Sequence, residues 1–237
     1  MIDTHAHLDQ ILCDTRGEVD KIILASSDFE SSQNNLKLAQ KYDFLLPAIG
    51  IHPQSPSQEI DKLESLITKK VVAIGECGLD YSEEIYDKNN QLIIFKKQIE
   101  LAQKYKLPLI IHARKAVDEV IEILRQYKNI SGVFHCYAGG VKRIKKIIDL
   151  NFYFGIDGNI TYEDGLVSVV KNIPKDRLVL ETDCPYLTPI PFRGQENKPA
   201  YVKYIYQKVA EIWEMGFQET EKLVDENARK LLRIKTN

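Results

Sequence analysis

No apolar run in this chain approaches the roughly 20 residues that a membrane helix requires. The first residues lack a positively charged stretch followed by an apolar one, so no secretory signal is expected and the expected compartment is cytoplasmic. Neither sign of charge dominates: 32 Lys and Arg stand against 34 Asp and Glu, a net charge of −2. A protein that grips long duplex DNA by charge alone is thereby excluded, and any nucleic-acid contact has to be local. Cysteine is scarce. Cys13, Cys77, Cys136 and Cys184 are far apart and form no C-x-x-C pair, which argues against a zinc ribbon or finger and for reduced thiols. No Gly-, Ser- or Pro-rich linker and no low-complexity tract divides the chain, so residues 1–237 read as a single domain with no segment marked out for an obligate protein partner.

What is present is an alternation of short, β-branched apolar runs with longer amphipathic stretches, the pattern of repeated βα units. Strands are expected at Met1–His5, Lys21–Ser26, Phe44–Gly50, Val71–Gly75, Leu109–His112, Gly132–His135, Phe152–Ile156 and Leu178–Thr182. Helices are expected at Ser31–Tyr42, Ser57–Thr68, Asn89–Tyr105, Ala116–Tyr127, Val141–Leu150 and Gly165–Lys171, then at Tyr201–Glu214 and Gln218–Arg233 after a proline-rich loop. The connector Gln10–Asp20 has room for a turn or two at most. Eight strands with intervening helices in this length favour a closed (β/α)8 TIM-like barrel, class α/β. The open doubly wound alternative would normally carry a Gly-rich first βα turn, and His5-Ala6-His7 stands in its place.

Barrel enzymes take their chemistry from the C-terminal ends of the strands. The chain has only five histidines, and every one falls at such an end: His5 and His7 after strand 1, His52 after strand 3, His112 after strand 5 and His135 after strand 6. Glu76 and Asp183 take the matching places after strands 4 and 8. On a strand, His5 and His7 share a face and point into one space. Taken singly, each has a bland reading: a hydrogen-bonded core histidine, a turn-opening aspartate, a surface ion pair. Those readings would have to hold independently at six places on one rim, where an unpaired charge is costly. A metal centre built from His5, His7, Glu76, His112, His135 and Asp183 is the simpler expectation. Asp9 and Asp80 could orient ligands or cap loops. Cys77, Cys136 and Cys184 each follow a candidate ligand and are expected to pack behind the site.

The motifs Met1-Ile2-Asp3-Thr4-His5-Ala6-His7-Leu8-Asp9, Gly50-Ile51-His52-Pro53, Ile74-Gly75-Glu76-Cys77-Gly78-Leu79-Asp80-Tyr81, Ile111-His112-Ala113-Arg114, His135-Cys136-Tyr137, Glu181-Thr182-Asp183-Cys184-Pro185 and Arg193-Gly194-Gln195-Glu196-Asn197-Lys198-Pro199 together resemble the TatD family of metal-dependent deoxyribonucleases, over essentially the whole chain and in order. The resemblance implies one metal held by His5, His7, Glu76 and Asp183, and a second by Glu76, His112 and His135, with Glu76 bridging. It implies a substrate-side role for His52, and that Mg²⁺ or Mn²⁺ can serve, although imidazole and carboxylate donors fit Zn²⁺, Mn²⁺ or Co²⁺ better than Mg²⁺. The chain departs from the family pattern in its short first connector, in Phe192 before Arg193-Gly194, and in Asp157-Gly158-Asn159.

The expected chemistry is hydrolysis of DNA phosphodiesters by water activated between two cations, with Asp183 orienting that water and taking its proton. Arg114 and Arg193 are candidate phosphate donors, as are the amides after Gly139-Gly140. Lys142, Arg143, Lys145 and Lys146 are either DNA contacts or a solvated face. Tyr137, Tyr186 and Phe192 could stack on bases of a single-stranded end, or pack their loops. A narrow mouth and modest charge favour an exonuclease. The rival readings are an amidohydrolase acting on a small amide, ester or lactone, which would often use a carboxylated lysine on strand 4, and a non-catalytic binding barrel.

Overall fold

The computed structural model describes residues 1–8, 19–55 and 59–234. Eight parallel strands follow one another in sheet order: β1 (Ile2–Ala6), β2 (Lys21–Leu24), β3 (Leu45–Ile49), β4 (Ala73–Asp80), β5 (Leu109–Arg114), β6 (Gly132–Phe134), β7 (Phe152–Ile156) and β8 (Leu178–Leu180). The ring closes above β8, where the His7 N–H donates to Cys184 O (2.8 Å) and the Asp183 N–H to His5 O (2.9 Å). Helices α1 (Phe29–Lys41), α2 (Ile60–Leu63), α3 (Lys88–Tyr105), α4 (Val117–Leu124), α5 (Ile144–Asp149) and α6 (Asp164–Asn172) lie between strands. Helices α7 (Val202–Trp213) and α8 (Phe217–Leu232) follow β8. The expected (β/α)8 barrel is therefore what forms. The first connector and Asp9 lie largely or wholly outside the described residues, as does the start of the expected helix at Ser57. No helix among the described residues is long and apolar enough to cross a membrane.

Alternation along the strands builds two cores. Outward residues such as Ile22, Ile49, Ile74, Ile111 and Phe134 pack under the helices. Inward residues Ile2, Ile23, Ala48, Ala73, Ile110, Val133 and Val179 fill the barrel and meet Ala228, Leu231 and Leu232 of α8. With α8 packed against this inner cluster, the opposite, C-terminal end is left to carry chemistry.

Local chemistry fixes the elements that carry the rim. Asp28 and Ser31 form a reciprocal cap at the start of α1, and Asp87 caps α3 through the Asn90 N–H, each satisfying amides that a helix start leaves open. On α3, Gln98 grips both backbone groups of Ile51 (2.8 and 2.9 Å), next to His52. Two turns away, Gln91 does the same for Asp80 (2.9 Å each). Helix α3 thus anchors two rim segments with side-chain amides.

Two strands depart from regular pairing. On β1 the register with β2 shifts between Asp3 and Ala6, and on β4 the register with β5 shifts between Ile74 and Cys77. Bulges of this kind re-aim side chains, and here they fall at His5 and Glu76.

Candidate metal centre

The deep end of the barrel mouth gathers side chains from β1, β4, β6 and the segment after β8. Glu76 Oε1 lies 2.6 Å from His5 Nε2, 3.3 Å from His7 Nε2 and 3.7 Å from His135 Nε2. Asp183 Oδ1 lies 3.4 Å from His5 Nε2 and 3.5 Å from His7 Nε2, and the two imidazole nitrogens are 3.2 Å apart. A second group adjoins the first: His112 Nδ1 faces His135 Nε2 at 3.1 Å, and His112 Nε2 meets Asp80 Oδ2 at 2.9 Å. His5, Glu76 and His135 are all buried.

The donor set fits divalent cations. Bonds of roughly 2.0–2.2 Å from imidazole and carboxylate to such an ion put neighbouring donors about 3 Å apart, as these atoms are. Lone pairs of two carboxylates and four histidines converge on one buried space, which only protons or cations can stabilise. The far nitrogens give a second test. His5 and His135 turn Nε2 toward Glu76, and their Nδ1 atoms are buried with no hydrogen-bond partner among the described residues. Asp80, by accepting from His112 Nε2, leaves the Nδ1 lone pair of that ring aimed at the cluster, the orienting role carboxylates play behind ligating histidines.

His52 is different. Its Nδ1 accepts the Gln54 N–H (3.1 Å), so in the neutral ring the proton sits on Nε2, 3.5 Å from Glu76 Oε2. A protonated nitrogen is a donor and not a metal ligand.

Electrostatics follow the packing. Burial opposes charge on His5 and His7, but Glu76 and Asp183 outweigh it and raise both. Burial likewise works against the Glu76 carboxylate, yet His135 and His5 hold it well below the usual range. His135 is pushed down to about 3 by burial and by neighbouring His5, and His52 to about 4, mainly by burial. Without metal, the proton in the cluster belongs to the His5 and His7 side.

From the sequence alone Glu181 could belong to the site or lie outside it. Val179, Glu181 and Asp183 share the inward face of β8 and its extension, a period-2 signal that was there to be read. The Glu181 carboxylate is buried, accepts the Cys136 N–H (2.5 Å) and lies 3.8 Å from the orphaned His135 Nδ1. A Cβ on Gly155 would come within 2.5 Å of Glu181 Oε2, so glycine leaves the room the carboxylate fills. Burial pushes Glu181 up to about 8 and Asp157 up to about 6. Cys77 and Cys184 are buried as expected. Cys136 instead takes φ +43° and sits at the cleft wall beside Asp157.

Around the cluster opens a cleft of about 1280 Å³. Arg114 lines it, whereas Arg193 lies outside the lining with its guanidinium 4.0 Å from the Tyr162 ring centre. Gly139-Gly140 opens only a short 3₁₀ turn before the six-residue α5, and the two glycine carbonyls accept from Arg143 (2.6 Å) and Tyr137 (2.8 Å). Arg143 is paired with Asp118 and Lys145 with Asp149. Tyr137 is buried against Phe154, and Phe192 stacks on Tyr201 (4.2 Å), so both pack loops. Tyr186 alone of these three faces out.

The loop from Arg193 to Pro199 has a structural purpose. Asn197 is fully buried and donates to Thr182 O (2.8 Å) and Tyr186 O (2.5 Å), clamping the segment that bears Asp183. Asn197→Ala leaves two carbonyls without their donor, and a loss on the order of 2 kcal/mol in urea unfolding is expected, with the m-value unchanged.

Comparison with known proteins agrees with this geometry. A family model for TatD related DNase matches residues 2–233. The metal-dependent hydrolase YabD of Bacillus subtilis, described as uncharacterized, is 38% identical over 99% of both chains. The 3'-5' ssDNA/RNA exonuclease TatD of Salmonella typhimurium is 30% identical, covering 90% of this chain and 87% of its own. The crystal structure of the TatD homologue YJJV from Escherichia coli superposes with a TM-score of 0.90 at 27% identity, over 99% of this chain and 98% of that one. Matched over nearly its whole length in sequence, this chain belongs to the TatD-related DNase family.

Proposed function

We propose that this protein hydrolyses phosphodiester bonds of DNA as an exonuclease on single-stranded ends, using two divalent cations (Mg²⁺, Mn²⁺ or Zn²⁺). The observation that carries the reading is the convergence of Glu76 and Asp183 with His5, His7 and His135 at the floor of a cleft, with His112 beside them. The name of the Salmonella relative points the same way. One site is assigned to His5, His7, Glu76 and Asp183, and the other to Glu76, His112 and His135, with Glu76 shared. When bound, such cations acidify water and neutralise charge on a phosphoryl oxygen. Asp183, held ionised despite burial by His7 and His5, orients the attacking water and accepts its proton. The His52 Nε2–H donates to a phosphoryl oxygen, and Arg114 meets a neighbouring phosphate. Arg193, outside the cleft lining, is assigned to a phosphate of the strand beyond the mouth. On β4 the donor is Glu76, while Lys70 donates to Ala39 O, away from the cluster, which speaks against a carboxylated-lysine amidohydrolase. The compartment we assign is the cytosol, in keeping with the free thiols of Cys77 and Cys136.

The test is a metal-replete assay on end-labelled single- and double-stranded oligonucleotides with products sized to the nucleotide. Stepwise shortening of single-stranded ends is expected, and no shortening with Mg²⁺ or Mn²⁺ overturns the reading. His52→Ala should lower kcat by roughly 10²-fold, the usual loss on removing one preorganised donor, and leave bound metal unchanged. Loss of metal in that variant would make His52 a ligand.

A further inference from the structure

Two features of the cleft flank the donor cluster, one at the end of β5 and one in the segment after β8. The first is a charge imbalance. Four cationic side chains line the cleft beyond the donors: Lys88, Arg114, Lys115 and Arg143. Lys88 is neutralised by Glu119 (2.8 Å) and Arg143 by Asp118. Arg114 and Lys115, at the end of β5 and in the turn after it, are exposed and have no acidic partner among the described residues. The cationic side chains of the cleft left without an acidic partner therefore sit on the β5 side, two and three residues beyond His112.

The second is an aromatic ring with nothing over it. Of the two tyrosines that line the cleft, Tyr81 is covered by Tyr86 (4.8 Å) and by Lys88 (5.0 Å). Tyr186 is 63% exposed. Its backbone is fixed at both ends: the N–H donates to Asp183 O (2.9 Å) and the carbonyl accepts from Asn197. Its ring stands edge-on to His7 at 6.3 Å, beside the donors and on the β8 side. With its backbone held and only two side-chain torsions to fix, this exposed ring offers a large contact area at low conformational cost.

We infer that the mouth is a directional track for single-stranded polynucleotide, in which Tyr186 takes the terminal base by stacking and Arg114 with Lys115 takes phosphates of the chain behind it. This rests on the phosphodiesterase reading above. A phosphodiester between the two features lies over Glu76 and His112, and the strand crosses the mouth from the β5 rim to the β8 rim. Stacking makes no use of base identity, so the subsite accepts any base. The track also sets a minimum substrate: an unpaired terminal base and at least one phosphate beyond the one being cleaved. A small amide or lactone would engage neither feature.

The experiment compares the Mn²⁺-loaded wild type with Tyr186→Ala, Tyr186→Trp and Lys115→Ala on two short oligonucleotides, one intact and one abasic at the terminal position. Tyr186→Ala is expected to lower kcat/KM on the intact end on the order of tenfold and to have little effect on the abasic end, with Tyr186→Trp restoring the intact rate. Lys115→Ala is expected to reduce the slope of log(kcat/KM) against log[salt] by about 0.7, the single-strand value for one phosphate contact. Equal loss on both ends, or none, removes the stacking role, and an unchanged salt slope removes the phosphate role. A wild type inactive on both oligonucleotides overturns the phosphodiesterase reading itself, and this one with it.

Discussion

Glu76→Gln and Glu76→Ala should each lower phosphodiesterase activity by on the order of 10³-fold while the protein stays folded. Glu76 Oε1 lies within 3.7 Å of the Nε2 atoms of His5, His7 and His135. Shared by two cations, as proposed, the Glu76 carboxylate would contribute charge to both, and glutamine has the shape without the charge. Losing about 4 kcal/mol of transition-state stabilisation corresponds to the stated factor. The fold should survive because the barrel is held by its inner plug of Ile2, Ile110, Val133 and α8, which Glu76 does not join. Circular dichroism and urea unfolding check the fold, and metal analysis should show fewer ions per chain. Activity near the parent's would refute the shared-carboxylate assignment.

Removing metal should abolish activity and lower Tm by roughly 5–15 °C, both reversed by adding Mn²⁺ or Zn²⁺. A ligand that binds only the folded state at 100–1,000 times its Kd stabilises by about 3–4 kcal/mol, and for a domain of this size each kcal/mol moves Tm by about 2–4 °C. The effect depends on pH in a direction the site dictates. His5 and His7 are raised by Glu76 and Asp183 against the pull of burial, so without metal they hold protons more tightly than free imidazole. Metal must displace those protons. The metal-dependent shift in Tm should therefore shrink as pH falls from 8 to 6. Thermal scans with chelator and with added metal across that range measure it; a Tm indifferent to metal would mean the cluster is held by protons alone.

Much of this was legible in the sequence because the barrel repeats a simple signal. Six of the apolar strands lead into a histidine or carboxylate of the cluster or its rim, and eight strands formed at the eight apolar runs. The misreadings have physical causes. Strand β4 was expected to stop at Gly75, with Glu76 just beyond it, but Cys77–Asp80 go on pairing with Ile111–Arg114 after the bulge. A bulge breaks the period-2 pattern from which strand ends are read. Gly78, at φ +143°, belongs to the same irregular stretch, and a Cβ there would come within 1.9 Å of His112 O. Glu181 is left undecided by the sequence because a charged residue between Leu180 and Thr182 fits either face until its inward neighbours Val179 and Asp183 are counted. The stretch from Val141 to Leu150 reads as one helix, yet the Gly139 carbonyl is taken by the Arg143 side chain and the first turn is 3₁₀. Partners from α3 such as Gln91 and Gln98 leave no local signature, because their bonds to Asp80 and Ile51 span 11 and 47 residues of chain.

The most direct measurement is anomalous scattering from a crystal of the protein grown with Mn²⁺. The account predicts two peaks at the floor of the cleft, one among His5, His7, Glu76 and Asp183 and the other among Glu76, His112 and His135. Peaks elsewhere, or a single peak that leaves His112 and His135 unligated, would contradict it.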